Sequence, residues 1–547
     1  MPETPSSYAG RWVARVRGQI VAQGGTPEQA RRASQSSRHK EPPELIFMPP
    51  TTPLKFSALL DKVRDALPDV ELYLVGGAVR DALLNRVSLD LDFALPSDGI
   101  RTARRLADAL GAGIFPLDDE RDTGRVIVTH PDGSREKLDF ATYRGADLEE
   151  DLRNRDFTIN ALAIDLKDMS LLDPLEGAAD LRAKKIRACS DTSLSDDPIR
   201  ILRGIRLAAS LSFEIEPSTR KKMKSAAKGL SKISPERLRD ELFRICAGPR
   251  QSDSFRALEL LGVLPHILPE LSALKGVEQP TPHVHEVWEH TLQVLSALEW
   301  ILRIVEGDES LILADPFAGP LVERLGMYRE KFAEHFGQSL NEDRATRPLL
   351  FLAALYHDIA KPQSATKDES GRIRFWGHDE EGAKVAAHRL RELHLSNDEI
   401  ARVETVIRNH MRLHFHTDQK LKKGLAPSRR AIYRFFRDSG KAGVDLTLLA
   451  LADLRGTYGE KLTQEIWSAA LDVTRVFLEN YFERPEESVA PPRLLDGNDL
   501  MRELNLAPGP RLGELLEAIR EAQADGEVGT REEAIALARK LMEGIQK

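Results

Sequence analysis

Asp90 and Asp92 stand two residues apart in the run LVGGAVRDALLNRVSLDLDFAL, Leu74 to Leu95. Side chains of an extended strand alternate between faces, so both carboxylates point the same way and suit a hard divalent cation, Mg²⁺ above all. Earlier in the run, Gly76 and Gly77 let backbone approach a ligand closely, and the N-terminus of the following helix offers N–H groups to a phosphate. Arg80, followed by Asp81, sits within reach of that phosphate. These are parts for metal-dependent nucleotidyl transfer. The run reads as a strand, a Gly-Gly turn, a short helix and a second strand ending in Asp90-Leu91-Asp92. Taken alone, it is also an ordinary turn with two surface aspartates.

A second set of ligand-type residues lies far downstream: His290, then adjacent His357-Asp358 closing the apolar run FLAALY, then Asp453 in LALADLRG. Adjacent His and Asp can bind one metal through a ring nitrogen and a carboxylate. Mixed imidazole and carboxylate ligands suit Mn²⁺, Fe²⁺, Ni²⁺ or Co²⁺, and Mg²⁺ less well. Two further histidines, His378 and His410, lie between. His283 and His285 are alternatives to His290 as the first ligand, and Lys361 is placed to reach a phosphate.

These residues need several elements to position them. A chain of 547 residues exceeds one core. Residues 1–53 read as a polar extension, at best partly ordered, with one helix start at Thr26-Pro27-Glu28, running into a Pro-rich extended linker. From 54 to 188, strands alternate with helices (YLVGG, LDLDFAL, RVIVTH, KLDFATYR, NALAIDL), predicting an α/β head with a small mixed sheet. Residues 189–265 have helical periodicity and read as a neck. A linker over 266–282, a helical histidine-bearing domain over 283–480 and a helical tail over 491–547 complete a multidomain, mainly α chain. The net charge is −8, yet Arg182–Arg250 carries 17 Lys/Arg against 8 Asp/Glu, either a solvated helix face or a phosphate track. The stretch HTDQKLKKGLAPSRRAIYRFFR interleaves basic and aromatic residues and reads either as a track for a nucleic-acid backbone or as a solvated loop. Two cysteines argue against a disulfide framework. No apolar run is long enough for a bilayer and no apolar signal core opens the chain, so a cytoplasmic location away from membranes is expected.

GGAVRD followed by DLD resembles the head of the class II tRNA nucleotidyltransferase and bacterial poly(A) polymerase superfamily. Further segments match in order. KLDFATYR places Asp139 where the superfamily has a third carboxylate. DLRNRDFTINALAID is similar to its sugar- and phosphate-binding segment, with Arg155, Asp156, Thr158 and Asn160 matching and Asn154 replacing a frequent Arg; Asp156 or Thr158 as a helix cap is the structural alternative. SDDPIRILRG resembles its base-selecting segment, with Asp197 and Arg200 matching and Asp196 in place of Glu. A carboxylate accepts from an exocyclic amine and a guanidinium donates to ring acceptors, which suits cytosine and adenine. Asp197-Pro198 also reads as a plain helix start. ISPERLRDEL resembles the neck helix, with Glu236 and Arg237 structural.

The resemblance implies catalysis by Asp90, Asp92 and Asp139 with Mg²⁺. It implies nucleotide binding by Gly76, Gly77, Arg80, Asp81, Arg155, Asp156, Asn160, Asp197 and Arg200. The implied reaction adds C, C and A to the 3′ end of tRNA from CTP and ATP, by a monomer or homodimer. Poly(A) addition shares every head motif, and addition of CC alone or A alone is equally compatible with them. The order H…HD…D resembles the HD phosphohydrolase superfamily. It implies a divalent transition metal or Mg²⁺ at His290, His357, Asp358 and Asp453, with His378 and His410 for a second ion, and hydrolysis of phosphomonoesters or 2′,3′-cyclic phosphates. A chain that is chiefly an HD phosphohydrolase with an RNA-binding head is the remaining alternative.

Overall fold

The computed structural model describes residues 8–37, 41–50, 53–341 and 344–543. The chain forms two compact units, Met1–Lys232 and Ile233–Lys547, so their boundary falls inside the segment that the sequence reading groups as one neck. The first unit is α/β and the second is mainly helical.

The N-terminal segment departs from expectation. Arg11–Val16 (β1), Gln19–Gly24 (β2) and Glu44–Met48 (β3) form an antiparallel sheet in the order β2-β1-β3. The helix Pro27–Ser34 starts where the sequence predicts, its N-cap Thr26 accepting from the Gln29 N–H. Val13 and Ala14 are buried. The segment is tied to the head by the Trp12 indole N–H donating to the Leu171 carbonyl at 3.1 Å and the Asp173 N–H donating to the Gly25 carbonyl at 2.8 Å. Polar composition hid this because the small sheet borrows the head as its apolar partner.

The head sheet has seven strands. Tyr73–Val75 (β4), Asp90–Leu95 (β5), Gly113–Asp118 (β6), Thr123–Thr129 (β7), Arg135–Thr142 (β8), Ala163–Asp165 (β9) and Leu171–Leu172 (β10) run in the order β10-β9-β4-β5-β8-β7-β6. Only β5 and β8 pair in parallel. Phe93 and Phe140 point to the face opposite the aspartates and stack at 4.8 Å, anchoring those two strands in the core. Asp90 begins its strand rather than ending it, and β8 is interior, not an edge.

The second unit is built on long helices. Val287–Glu306 packs along Ala442–Tyr458, with Arg347–Tyr356, His378–Glu392 and Asn397–Asn409 around them. Residues 266–282, read from the sequence as a linker, pack against the helices. Leu268, Leu271 and Leu274 are buried, and Glu270 accepts a bidentate Arg389 pair at 2.9 and 2.8 Å. A β-hairpin, Ala365–Lys367 with Ile373–Phe375, interrupts the helices. The second half of the basic and aromatic stretch is a packing surface: Arg430 and Arg437 of the helix Arg429–Ser439 pair with Asp525 and Glu517 of Pro510–Asp525, and Phe435 and Phe436 are buried, while residues 422–426 are exposed. Among the described residues, no helix is long and apolar enough to cross a membrane.

A Cβ on Gly25 would lie 1.6 Å from the Asp173 carbonyl oxygen. Gly25→Ala should therefore push the N-terminal sheet off the head, losing about 1–3 kcal/mol. Thermal melting and faster proteolysis within residues 8–50 would register it.

Candidate active site and metal centre

The head site forms where β4 ends. Gly76 has φ +77°, a conformation that favours glycine, and an added Cβ would stand 3.2 Å from the Arg155 Nη1 and 3.5 Å from the Asp92 Oδ2. This turn is therefore the meeting point of the Gly-Gly, DLD and RDFT segments. Gly77 has no such crowding; its nearest neighbour would be the Arg80 Nη2 at 3.6 Å.

Strand register does the rest. Val75 pairs with Asp92, Asp92 with Asp139, and Asp139 with Arg125. Asp90 lies two residues from Asp92, beside Lys137. Two carboxylates and a guanidinium thus run in a row across the sheet. Arg125 holds both Asp139 oxygens at 2.7 Å, so Asp139 can join a cation only if Arg125 gives way. The Asp92 side chain still meets solvent, but the protein packed around it, with Asp139 and Asp90 alongside, outweighs the attraction of Arg155 and holds its carboxyl above the ordinary range. Asp90 and Asp92, joined by Asp139 once Arg125 lets it go, offer oxygen donors only and fit a hard divalent cation.

Behind this row runs a polar chain. Arg80 donates to Asp81 and to the Asn160 Oδ1, each at 2.8 Å. The Asn160 amide donates to Asp156 at 3.0 Å, and Arg203 meets the other Asp156 oxygen at 3.1 Å. Asp156 is buried and faces this scaffold. Thr158 donates inward to Asp180 at 2.6 Å. Arg200 is also buried, its Nη1 and Nη2 donating to the carbonyls of Arg155, Ser193 and Asn154 at 3.1, 3.1 and 2.9 Å. Asp197 precedes the Arg200–Leu211 helix without capping it by side chain, 3.9 Å from the Arg200 Nε. Sequence reasoning missed Arg125 and Arg203. Arg203 follows Arg200 at helical spacing, a signal that was available.

In the second unit, five segments bring six ligand-type side chains together. His290, His357 and Asp453 form one group and Asp358, His378 and His410 another, all buried, with ligand atoms within 4.8 Å inside each group. Asp358 spans both, its Oδ2 3.1 Å from the His357 Nε2 and its Oδ1 3.5 Å from the His378 Nε2. The Nδ1 atoms of His357, His378 and His410 donate to the carbonyls three residues back, of Ala354, Phe375 and Ile407, at 2.7, 2.7 and 2.6 Å. That leaves lone pairs at their Nε2 atoms.

The His290 Nε2 lies 3.3 Å from that of His357, with no backbone carbonyl fixing the His290 proton, whereas the His378 and His410 Nε2 lone pairs face each other at 3.3 Å. Lone pairs opposed at that distance repel unless a cation sits between them, and donors about 2 Å from one ion lie about 3 Å apart. The buried Asp358 Oδ2 is met by the Lys361 Nζ at 2.6 Å. The set fits a divalent transition metal. Burial pushes His410 down to about 3 and His283 down to about 4, so both stay neutral ligand-type rings at neutral pH. His290 is the helix-borne member of the cluster, while His283 packs edge-on against it. Lys361 lies 2.6 Å from Asp358, and His414, which sequence reasoning missed, holds the outer Asp453 oxygen at 2.8 Å.

Known proteins match in the same order. Residues 72–187 match the poly(A) polymerase head domain, 212–275 the probable RNA and SrmB-binding site of polymerase A, 324–450 the HD domain and 493–538 the family model described as tRNA nucleotidyltransferase domain 2. An A-adding tRNA nucleotidyltransferase of Deinococcus radiodurans is 34% identical over 479 residues, covering 86% of this chain and 95% of its own. The chain belongs to the tRNA nucleotidyltransferase family. A CC-adding member from Thermus thermophilus is 35% identical over 480 residues, 86% of this chain and 93% of its own. A solved CCA-adding enzyme in complex with CTP shares the fold at a TM-score of 0.57 and 22% identity, covering 89% of this chain and 94% of its own. The nucleotidyltransferase head is thus joined to an HD domain with its own metal-type centre. His290 and Asp453 lie just outside the HD match, brought in by the long flanking helices.

Burial alone would raise Asp156; Arg203, the Asn160 amide and the Phe157 N–H more than offset it and hold the carboxyl below its ordinary range. A depressed carboxyl stabilises the fold above its unfolded value of about 4 and gives that up as pH falls through the folded value. Asp156→Asn should cost about 2 kcal/mol at pH 7. In paired melts, the gap from wild type should narrow in acid.

Proposed function

We propose that the chain adds C, C and A to the 3′ end of tRNA from CTP and ATP, without a nucleic-acid template. The observation that carries this is the Gly76 turn, where Asp92, Arg155 and the segment bearing Asn160 converge beside Asp90 and Asp139. Divalent cations, Mg²⁺ in this reading, held by Asp90 and Asp92 would activate the terminal hydroxyl and neutralise charge on the phosphates. Gly76 and Gly77 bring backbone close to the triphosphate. Arg80, fixed by Asp81 and Asn160, and Arg155 orient it, and positioning of this kind provides most of the rate in phosphoryl-type transfer. Asp197 and the Arg200 Nε present the base-reading edge, while the rest of the Arg200 guanidinium holds that edge to the head.

A second reading, a specialist that adds only CC or only A, is supported by four relatives matched over 84–87% of this chain and named for those partial reactions, although a multifunctional CCA protein of Cupriavidus metallidurans matches 64% of it. The relatives named CCA-adding enzymes, from Leuconostoc citreum and Streptococcus pyogenes, match 41% and 37% of this chain. For the HD domain we propose metal-dependent hydrolysis of phosphorylated RNA ends, supported by the paired donor groups and by Lys361 at their side.

With a tRNA transcript lacking its last three nucleotides, CTP plus ATP should give three added residues and then a stop. Two additions with CTP and nothing further would make it a CC-adding enzyme. A single A on a transcript ending in CC would make it an A-adding one, and a long A ladder a poly(A) polymerase. Asp92→Asn should lower extension at least a hundredfold, and His357→Ala should leave extension intact while removing protein-bound transition metal measured by mass spectrometry.

A further inference from the structure

The HD centre opens into a pocket of about 670 Å³ whose inner end carries Asp358, Lys361 and His378 and whose lining includes Trp376, Met411 and Phe415. Trp376 follows the second strand of the Ala365–Lys367/Ile373–Phe375 hairpin and is 78% exposed; Phe415, on the Arg412–Lys423 helix, is 61% exposed. Large aromatic side chains are normally well buried, and neither ring serves the core. Their pocket holds cations and metal-type donors at one end and bare aromatic surface at the other. Arg374 adds positive charge on the hairpin, beside Asp368 at 3.0 Å. A phosphate alone would use only the inner end. The volume is in the range of small-ligand sites and too small for a duplex.

We propose that Trp376 and Phe415 form a stacking clamp for the unpaired base of a terminal nucleotide whose phosphate lies against the HD centre. The inference rests on the phosphohydrolase reading above and deepens it: the site selects phosphorylated nucleotides by their base and discriminates against small phosphate esters. The ligand chemistry is that of a nucleoside monophosphate, and it has two sources, a free nucleotide or the last residue of a single-stranded RNA.

The test uses the full chain loaded with Mn²⁺ and three probes: adenosine 3′-phosphorothioate, chosen to slow hydrolysis, a four-nucleotide RNA ending in the same group, and inorganic phosphate. Intrinsic fluorescence should be quenched by the first two in wild type and not in Trp376→Leu, which removes an exposed ring. Both Trp376→Leu and Phe415→Ala should weaken the nucleotide probes tenfold or more, with Mn²⁺ content and phosphate affinity unchanged. The ratio of affinities for the two nucleotide probes assigns the source. Equal nucleotide affinity in wild type and both variants, with phosphate still bound, overturns the clamp and leaves the HD reading standing. Failure of the Mn²⁺-loaded wild type to bind any of the three overturns both.

Discussion

The parallel pairing of β5 with β8 sets Asp92 directly beside Asp139, and the rest of the head is arranged around the repulsion this creates. Like charges on neighbouring strands destabilise a sheet. Two arginines flank the row, Arg125 on one side and Arg155 on the other. Phe93 and Phe140 secure the same two strands from the opposite face. The glycine turn follows from the same crowding, since any side chain at Gly76 would be driven into Arg155 or Asp92. The head thus spends local stability to keep carboxylates poised, and a cation relieves what the fold alone leaves strained electrostatically.

The HD centre meets a related problem with different materials. Its ligands are mostly imidazoles, which can be buried neutral, and the backbone fixes their protons at Nδ1. The supports are helix ends: His357 follows one, His378 opens one and His410 follows a third. Three of its four rings are tied to a carbonyl within their own turn.

The features visible in the sequence are those with local geometry. A spacing of two on a strand places Asp90 and Asp92 on one face, and Thr26-Pro27-Glu28 starts the helix it announces. The HD ligands were legible as an ordered set because adjacent His and Asp have few structural uses. What stayed hidden depends on register or docking. Arg125 reaches Asp139 across a strand pair fourteen residues apart, which neither segment declares. Arg200 ties itself to main-chain carbonyls, and any backbone supplies those without a sequence signature. The sheet β2-β1-β3 looked too polar to fold because its partner lies more than a hundred residues downstream. His414 was passed over because one turn after His410 it reads as solvent-facing, whereas it turns back to Asp453.

The seam between the helices Arg429–Ser439 and Pro510–Asp525 has a character of its own. It is held largely by half-exposed pairs, among them Arg430 with Asp525 and Glu527, and Arg437 with Glu517. Exposed pairs are screened by dissolved ions over about 8 Å at physiological ionic strength, while the apolar cluster around Leu500, Leu515 and Ile519 inside the tail is not. Rising salt therefore loosens the attachment of the tail before it softens the tail itself. Residues 494–542 are a module whose grip on the body is set by the medium and whose own fold is set by its leucines.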